Sequence, residues 1–530
     1  MVDLVLTLGH NSSAIAVDDG VILDGYEEER FTGLKADSDY PRNCIDRLCD
    51  TYAFDTAYVS HWNVDGVLAD DKHFDRSHIM SVVDKVISVN TKFTHHDAHA
   101  MSAVVFAGEA YTQDCLMIVA DGFGTMGEVM SMYNVHNGKP KLFSRFFGYE
   151  KSLGLYYQYA TSYMGMKEHN HEYKMLAYET LISSIDVDTD ALNKVTLKKA
   201  TKIINSYTAR ELHRETDPLR MVSALGVVKQ QVHAFCDDVV ACIESDNPTE
   251  HEIRVVVSFA IQHIVERVMA HMCKGSHSKL LLVGGLFYNV KLNWLLSMDH
   301  EVCVMPIAGD QGAGLGVYAH YNHLQWPDHI FWGSRDLTNF QPDDDVLVYK
   351  SMDDAMSSII MELKYTGFVN LVRGAMEFGP RSLCNTCTLG LPTEEVVDTI
   401  NQMNGRTSEM PMAPVVTQSQ YDQYFKNNES VYKSSEYMII ARQYKDGMSK
   451  NVKGVAHEYP KMNLHTGRPQ VTKDPHLVTL LDTFGPLINS SYNYHGRPIV
   501  FERESILSSL VLQRQALPDV NFQTFIITGE

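Results

Sequence analysis

His95 and His99 stand four residues apart in the run His95-His96-Asp97-Ala98-His99. On a helix that spacing puts two imidazoles one turn apart on the same face, where both can ligate a single ion. After a short helical segment, an apolar strand beginning at Cys115 ends in Asp121-Gly122, and a second strand beginning at Val302 runs into Gly309-Asp310. Two His and two Asp make a mixed nitrogen and oxygen set that suits iron, manganese or zinc. Among 24 His, one such spacing arises by chance. The two carboxylates at strand ends are what single this pair out.

Stable positioning of such a set needs a large core, and the chain has one. It has 530 residues, 45% of them hydrophobic and 21% charged, which predicts a globular protein of two or three domains. No apolar run reaches the length of a membrane span, and the N-terminus lacks a basic region followed by an apolar one. A cytoplasmic protein without membrane association is therefore expected. Nine irregularly spaced Cys fit a reducing compartment, and Cys384-Asn385-Thr386-Cys387 is read as structural. A net charge of -21 argues against general nucleic-acid affinity.

The first elements read as strand, turn and strand. Leu4–Leu8 is apolar, Gly9-His10-Asn11-Ser12-Ser13 turns, and Ala14–Val17 resumes. A hairpin with a small polar loop can hold phosphate through backbone N–H groups and hydroxyls. Further on, Leu280–Val283 is a buried strand followed by Gly284-Gly285 and a helix start carrying Asn289 and Asn293 on one face. Paired glycines let a nucleotide approach the backbone. The polar stretch from Trp326 to Asp345 predicts a boundary that separates domains 1–345 and 346–530. Beyond it, Asp353–Leu363 reads as an amphipathic helix and Gly367–Val372 as a strand. No internal repeat is visible.

Taken in order, these motifs resemble the O-carbamoyltransferases of the NodU/CmcH type. The resemblance starts with Gly9-His10-Asn11-Ser12-Ser13-Ala14 and Glu27-Glu28-Glu29-Arg30-Phe31, with Lys35 close behind. It continues through His95/His99, Ser152-Leu153-Gly154-Leu155-Tyr156-Tyr157 and Glu172-Tyr173-Lys174-Met175-Leu176-Ala177. The Gly284-Gly285 loop and Gly309-Asp310 follow. In the second half it includes Met376-Glu377-Phe378-Gly379-Pro380-Arg381-Ser382-Leu383 and the run from Asn489 to Val500. The family implies an α/β architecture: an actin/hexokinase-like N-terminal domain and a YrdC-like α/β C-terminal domain. It also implies formation of carbamoyl-adenylate from carbamoyl phosphate and ATP (as its Mg complex), then transfer of the carbamoyl group to a hydroxyl.

By matching position, the resemblance makes His95, His99, Asp121 and Asp310 the metal ligands, with iron the implied metal, and His10 the catalytic base. Lys174, Gly284, Gly285, Asn289 and Asn293 would hold the adenylate. Glu377, Arg381, Arg406 and Arg468 would bind carbamoyl phosphate and nucleotide beside Asn489, Ser491 and Asn493. Guanidinium forks match phosphate oxygens. Three departures stand out: Asn11 where an Asp is usual, Glu409 and Met410 where an aromatic residue and an Arg are usual, and Thr386 where an Arg is usual.

The acceptor is read from a local charge excess. Between Ala191 and Gln231 lie Lys194, Lys198, Lys199, Lys202, Arg210, Arg214, Arg220 and Lys229, opposed by Glu211, Glu215 and Asp217. A solvated helical face is one reading. The other is a dock for a polyanion, with DNA carrying 5-hydroxymethylcytosine supplying both phosphates and a primary hydroxyl. Alternatives are a sugar or antibiotic hydroxyl, a threonylcarbamoyl-type tRNA modifier and a non-catalytic nucleotide-binding protein. Oligomeric state is not legible in the sequence.

Overall fold

The structure, a computed structural model, describes residues 2–62, 73–207, 218–335, 337, 340–342, 345–407, 412–426 and 431–529. Strands β1 (Val2–Thr7), β2 (Ser13–Asp18) and β3 (Val21–Glu27) form antiparallel hairpins. On the other edge of β1, β4 (Phe54–Ser60) and β5 (Lys85–Ser88) add in parallel, giving the order β3-β2-β1-β4-β5.

The next five strands repeat that plan. They are β6 (Asp114–Ala120), β7 (Glu128–His136), β8 (Lys139–Phe147), β9 (Lys279–Val283) and β10 (Glu301–Val304). Their order is β8-β7-β6-β9-β10, with the same antiparallel and parallel senses. Two sheets of this order define an actin/hexokinase-like N-terminal region. The sequence hides the repeat because the duplication lies in strand order rather than residue identity. A central strand covered on both faces needs only apolar side chains, as in Leu4–Leu6 and Met117–Val119.

Two helices, His95–Tyr111 and Ala313–Tyr321, share a core with both sheets: Val5, Ile15 and Tyr58 from the first, Met117, Val119 and Leu281 from the second. The helices meet backbone to backbone. A β-carbon at Gly316 would lie 1.7 Å from the Ala98 carbonyl oxygen. Gly316→Val is therefore expected to push apart the elements that bear His99 and Asp310. Overpacking of this kind destabilises by about 1–3 kcal/mol, and a fall in urea midpoint together with lost metal binding checks it.

The second half holds β11 (Val346–Tyr349), β12 (Phe368–Arg373), β13 (Thr386–Gly390) and β14 (Ala413–Val416). The two-residue β15 (Val431–Tyr432) leaves this half and pairs in parallel with β10. A small sheet is formed by β16 (Arg442–Gln443), β17 (His457–Tyr459) and β18 (Leu464–Gly467). With β19 (Gln470–Val471), β20 (Leu487–Ser491) and β21 (Thr524–Ile527), the main sheet is mixed and seven-stranded, in the order β11-β21-β12-β13-β20-β14-β19. The helix Met352–Tyr365 covers the segment expected to be helical. Among the described residues no helix is long and apolar enough to cross a membrane.

The halves are joined by the Glu27–Arg30 motif. Buried Arg30 pairs with Glu27 at 3.1 Å and donates to the carbonyls of Ile499 (3.1 Å) and Gly379 (2.8 Å). The Gly379 N–H donates to Glu27 Oε2 at 3.0 Å, which closes the loop. Burial pushes the Glu27 carboxyl up, against the pull of Arg30. Arg30→Ala leaves that carboxylate buried and unpaired and is expected to lower unfolding free energy by about 3–5 kcal/mol, measured by urea denaturation.

Candidate functional site

The helix His95–Tyr111 opens with a capping box: the Thr94 side chain accepts from the Asp97 N–H, and Asp97 accepts from the Thr94 N–H. A neighbouring strand pair braces this end. Glu128, on β7, accepts from the His96 N–H (2.9 Å) and the Thr94 hydroxyl (3.0 Å). Arg145, on β8, pairs with Glu128 at 3.2 Å and with Asp97 at 2.6 Å. The first helical turn is thus fixed by buried charge-assisted hydrogen bonds.

That turn aims His95 and His99 at Asp121 and Asp310. Their Nε2 atoms are 3.1 Å apart. His95 Nε2 lies 3.3 Å from Asp310 Oδ1 and 3.8 Å from Asp121 Oδ2, and His99 Nε2 lies 3.4 and 3.3 Å from the same atoms. A metal bonded at about 2.1 Å spaces neighbouring ligand atoms about 3.0 Å apart in an octahedron and about 3.4 Å in a tetrahedron. The four residues fit a divalent ion on this count and on a second. The second is the donor set itself, two imidazole nitrogens and two carboxylate oxygens that all lie within 4.8 Å of one another.

Burial alone would push both imidazoles down, yet Asp310 and Asp121 hold His95 up at about 10 and raise His99. Against the upward push of burial, the same contacts keep the Asp121 carboxyl well below the carboxylate range. Behind the ring, Ser60 Oγ is 3.3 Å from His95 Nδ1 and orients it.

The strand bearing Asp310 is shorter than the sequence implies. β10 stops at Val304, and Asp310 opens a tight helical turn, Asp310–Gly312, ahead of the helix Ala313–Tyr321. Met305-Pro306 ends the strand, since a proline cannot donate to the ladder. Gly284 and Gly285 lie against the other carboxylate. Gly284 has φ +104, with Ala120 O only 2.2 Å from where a β-carbon would be; one at Gly285 would meet Asp121 Oδ1 at 3.0 Å. These glycines make room for the Asp121 carboxylate.

His10, in the β1–β2 turn, lies against His169 with ring centroids 4.7 Å apart and planes tilted by 49°, and its buried Nε2 has no hydrogen-bond partner among the described residues. Burial and the neighbouring His10 push His169 down to about 4. Five residues on, Lys174 donates to His495 Nε2 at 3.2 Å, and Lys35 stands over the Tyr173 ring at 5.1 Å. The segment 169–174 therefore runs from the His/Asp group to a cluster of cations.

That cluster draws on both halves: Lys35 and Lys174 from the first, Arg381, Arg406 and Arg468 from the second. Burial pushes Arg468 well below its usual range, and Arg381 and Arg406 push the same way. Burial also lowers Lys35, with Arg406, Arg381 and Lys174 adding to it against the pull of Glu29. Burial and nearby Lys174 hold His495 down at about 4. Arg406 donates to the Ser490 hydroxyl (2.7 Å), the Ser491 hydroxyl (2.9 Å) and Asn493 Oδ1 (3.2 Å). Among the described residues, no carboxylate pairs with Lys35, Arg381 or Arg468. Arg381 reaches the ring of Tyr288 at 5.9 Å, and Gln311, next to Asp310, donates to the Tyr288 hydroxyl at 2.9 Å. Tyr288 thus stands between the cations and the His/Asp group.

Other residues expected at the site face elsewhere. Glu377 accepts the backbone N–H groups of Leu383 (2.7 Å), Asn385 (2.7 Å) and Thr386 (3.2 Å), so its carboxylate shapes the loop behind Arg381. Asn489 donates to Ser382 O and Gln470 Oε1. Asn289 caps the helix Val290–Leu296, and Asn293 donates to Phe287 O and Ile439 O. In the basic stretch, Lys199 lies over the rings of Tyr156 and Phe235, and Lys229 pairs with Glu168 at 2.6 Å. Lys194, Lys198 and Lys202 are exposed at successive four-residue steps of one helix. Arg210 and Arg214 lie outside the described residues, as do Glu409 and Met410. His169 gives no signal in the sequence, and Tyr288 and His495 are visible there only within longer motif runs. Lys35 and Tyr173 were legible only as motif members.

The doubled strand order marks the chain as an actin/hexokinase-like protein, and between its sheets lies a His/Asp group that could hold a metal ion. Residues 78–318 match the family model for the carbamoyltransferase N-terminus and residues 361–523 that for the carbamoyltransferase C-terminus. The chain belongs to the carbamoyltransferase family and is an enzyme of that kind. An uncharacterized protein of Methanocaldococcus jannaschii is 24% identical over 531 residues, 95% of each chain. Nodulation protein NolNO of Sinorhizobium fredii is 22% identical over 94% of this chain and 76% of its own length, which agrees with the NodU/CmcH motifs. Among solved structures, full-length HypF in its phosphate- and nucleotide-bound form aligns at 13% identity and a TM-score of 0.30. That alignment covers 60% of this chain and 46% of HypF, so this chain spans less than half of HypF's length.

Proposed function

We propose that the protein is an ATP-dependent O-carbamoyltransferase whose two half-reactions share one internal space. The observation that carries this reading is the set of converging cations, three of them without a carboxylate partner, joined to the His/Asp group by residues 169–174. Half-buried cations that crowd one another with, among the described residues, no carboxylate partner are costly unless a polyanion neutralises them. A triphosphate together with carbamoyl phosphate is such a polyanion. Residues 346–530, in the role of the YrdC-like domain, would supply Arg381, Arg406 and Arg468. Residues 1–345 would supply transfer.

In the first step, water splits carbamoyl phosphate into orthophosphate and carbamate. A carbamate oxygen then attacks the α-phosphorus of ATP, and pyrophosphate leaves. In the second, the acceptor oxygen attacks the carbamoyl carbon, the bond to the AMP phosphate breaks, and AMP departs with the electron pair. His10 is placed to take the hydroxyl proton, work typically worth ~100- to 10,000-fold. A divalent ion held by His95, His99, Asp121 and Asp310, read as iron with manganese or zinc as alternatives, would supply Lewis acidity toward the developing charge. Tyr288 and the segment 169–174 touch both groups of residues.

For the acceptor, the exposed stripe Lys194, Lys198 and Lys202 supports a polyanionic carrier, and 5-hydroxymethylcytosine in DNA remains the reading it favours. Pyrophosphate release from purified enzyme tests the first half-reaction. It should need ATP and carbamoyl phosphate together; release from ATP alone, or none at all, would contradict it.

A further inference from the structure

Tyr288 closes the tight helical turn Gly285–Tyr288 that follows the glycine pair, and the chemistry above gives its hydroxyl no task. Its ring lies beneath the Arg381 guanidinium at 5.9 Å, and its hydroxyl oxygen accepts from Gln311 Nε2 at 2.9 Å. The phenol also lies against the turn that carries Asp310: a β-carbon at Gly309 would come within 2.9 Å of its ring and 3.4 Å of its hydroxyl oxygen. Gln311 is held in turn. Its carbonyl accepts from the Ser13 hydroxyl at 3.3 Å, and its Oε1 accepts from Asn11 Nδ2 at 3.4 Å. Because the Asn11 amide offers a donor there, Gln311 turns its own NH2 toward Tyr288. A carboxylate at position 11 could only accept, and would draw that NH2 to itself.

The Tyr288 oxygen is therefore an acceptor, and its own proton is left over. Among the described residues nothing accepts it. The side chain is half-buried, and burial pushes the phenol up, so the proton stays on at neutral pH. A donor withdrawn from water without a partner is costly, and a substrate oxygen would satisfy it. We infer that Tyr288 donates this spare hydrogen bond to the bridging oxygen of carbamoyl-adenylate, the atom that leaves with AMP. Resting on the transfer reading above, this adds a catalytic residue to it. Arg381, on the ring face, serves the phosphate; His10 and the His/Asp group serve the carbamoyl carbon; the phenol serves the atom that joins them. As the acceptor bonds to the carbamoyl carbon and the bond to the bridging oxygen breaks, charge grows on that oxygen, where a fixed donor stabilises it. The phenol keeps its proton throughout, since AMP is a far weaker base than phenolate.

The test uses Tyr288→Phe, which keeps the ring beneath Arg381 and removes only the donor. Hydroxylamine is supplied as the acceptor, because its attack on the carbamoyl carbon needs no acceptor pocket and yields hydroxyurea and AMP. Pyrophosphate released in the first turnover should match wild type, which also reports correct folding. ATP-dependent formation of hydroxyurea should fall about 100-fold or more, as it does when one such donor is removed. Asn11→Asp should cause a loss of the same kind, because Gln311 then presents Oε1 and takes the Tyr288 proton. In the Tyr288→Phe background it should add little. Undiminished hydroxyurea formation in Tyr288→Phe, with normal pyrophosphate release, would overturn the inference, as would losses in the two variants that multiply fully. If wild type releases pyrophosphate but forms no ATP-dependent hydroxyurea, the transfer reading fails and the role of Tyr288 with it. If it releases no pyrophosphate, the adenylation reading fails first.

Discussion

Replacing His99 by alanine is expected to abolish carbamoyl transfer while pyrophosphate release from ATP and carbamoyl phosphate continues near the wild-type rate. His99 is fully buried, and its Nε2 lies 3.1–3.4 Å from the other three ligand atoms, so no neighbouring side chain can take its place. Lewis-acid stabilisation is worth several kcal/mol, and about 4 kcal/mol corresponds to roughly a thousandfold in rate. The cations of the other half are untouched by the change. Metal content measured on the purified variant should fall with activity. Equal loss of both half-reactions would mean that the two sites do not work separately.

Arg468→Met is expected to do the reverse: stop pyrophosphate release and raise thermal stability. Arg468 is desolvated beside Arg381 and Arg406 and has no ionic partner among the described residues. Burial, and after it Arg381 and Arg406, disfavour the charged form of its guanidinium, and an apolar side chain of similar length removes that repulsion. Replacing buried charge by well-packed apolar groups often stabilises by about 1–4 kcal/mol. Losing one donor aimed at developing phosphate charge costs about 100- to 1,000-fold in kcat. A higher melting temperature with lost pyrophosphate release fits a site that trades stability for anion binding. A lower melting temperature would mean that Arg468 is a structural residue.

Much of this arrangement was legible in the chain because spacing and chemistry coincided. HxxxH marks a helix face, and Asp121 follows an apolar strand. The structure brings the four residues within 4.8 Å of one another by one ligand atom each. The hairpin around Gly9–Ser13 and the glycine pair at Gly284 were visible for the same reason. Other features depend on tertiary packing that local pattern does not encode. The repeat of strand order between the two sheets leaves no trace in residue identity. Glu377 reads like a ligand-binding carboxylate, yet its three backbone donors come from residues only six to nine positions away and turn it inward. Asn289 and Asn293 share a helical face, as expected, but that face is buried against Tyr157, Gln262 and Ile439. Lys199 is one of the basic residues by composition and an aromatic contact by position. His169 and Tyr288 carry no motif of their own and become site residues only once the fold lays them beside His10 and Arg381.

The measurement that reaches the central claim most directly is mass spectrometry of acceptors after incubation with enzyme, ATP, carbamoyl phosphate and divalent metal. The panel holds DNA with 5-hydroxymethylcytosine, unmodified DNA and an aminoglycoside. A mass gain of one carbamoyl group on a hydroxyl-bearing acceptor is expected, dependent on ATP and lost in His99→Ala; a gain on the hydroxymethylated DNA alone would also fix the acceptor. A carbamoyl gain that persists without ATP, or in His99→Ala, would contradict it.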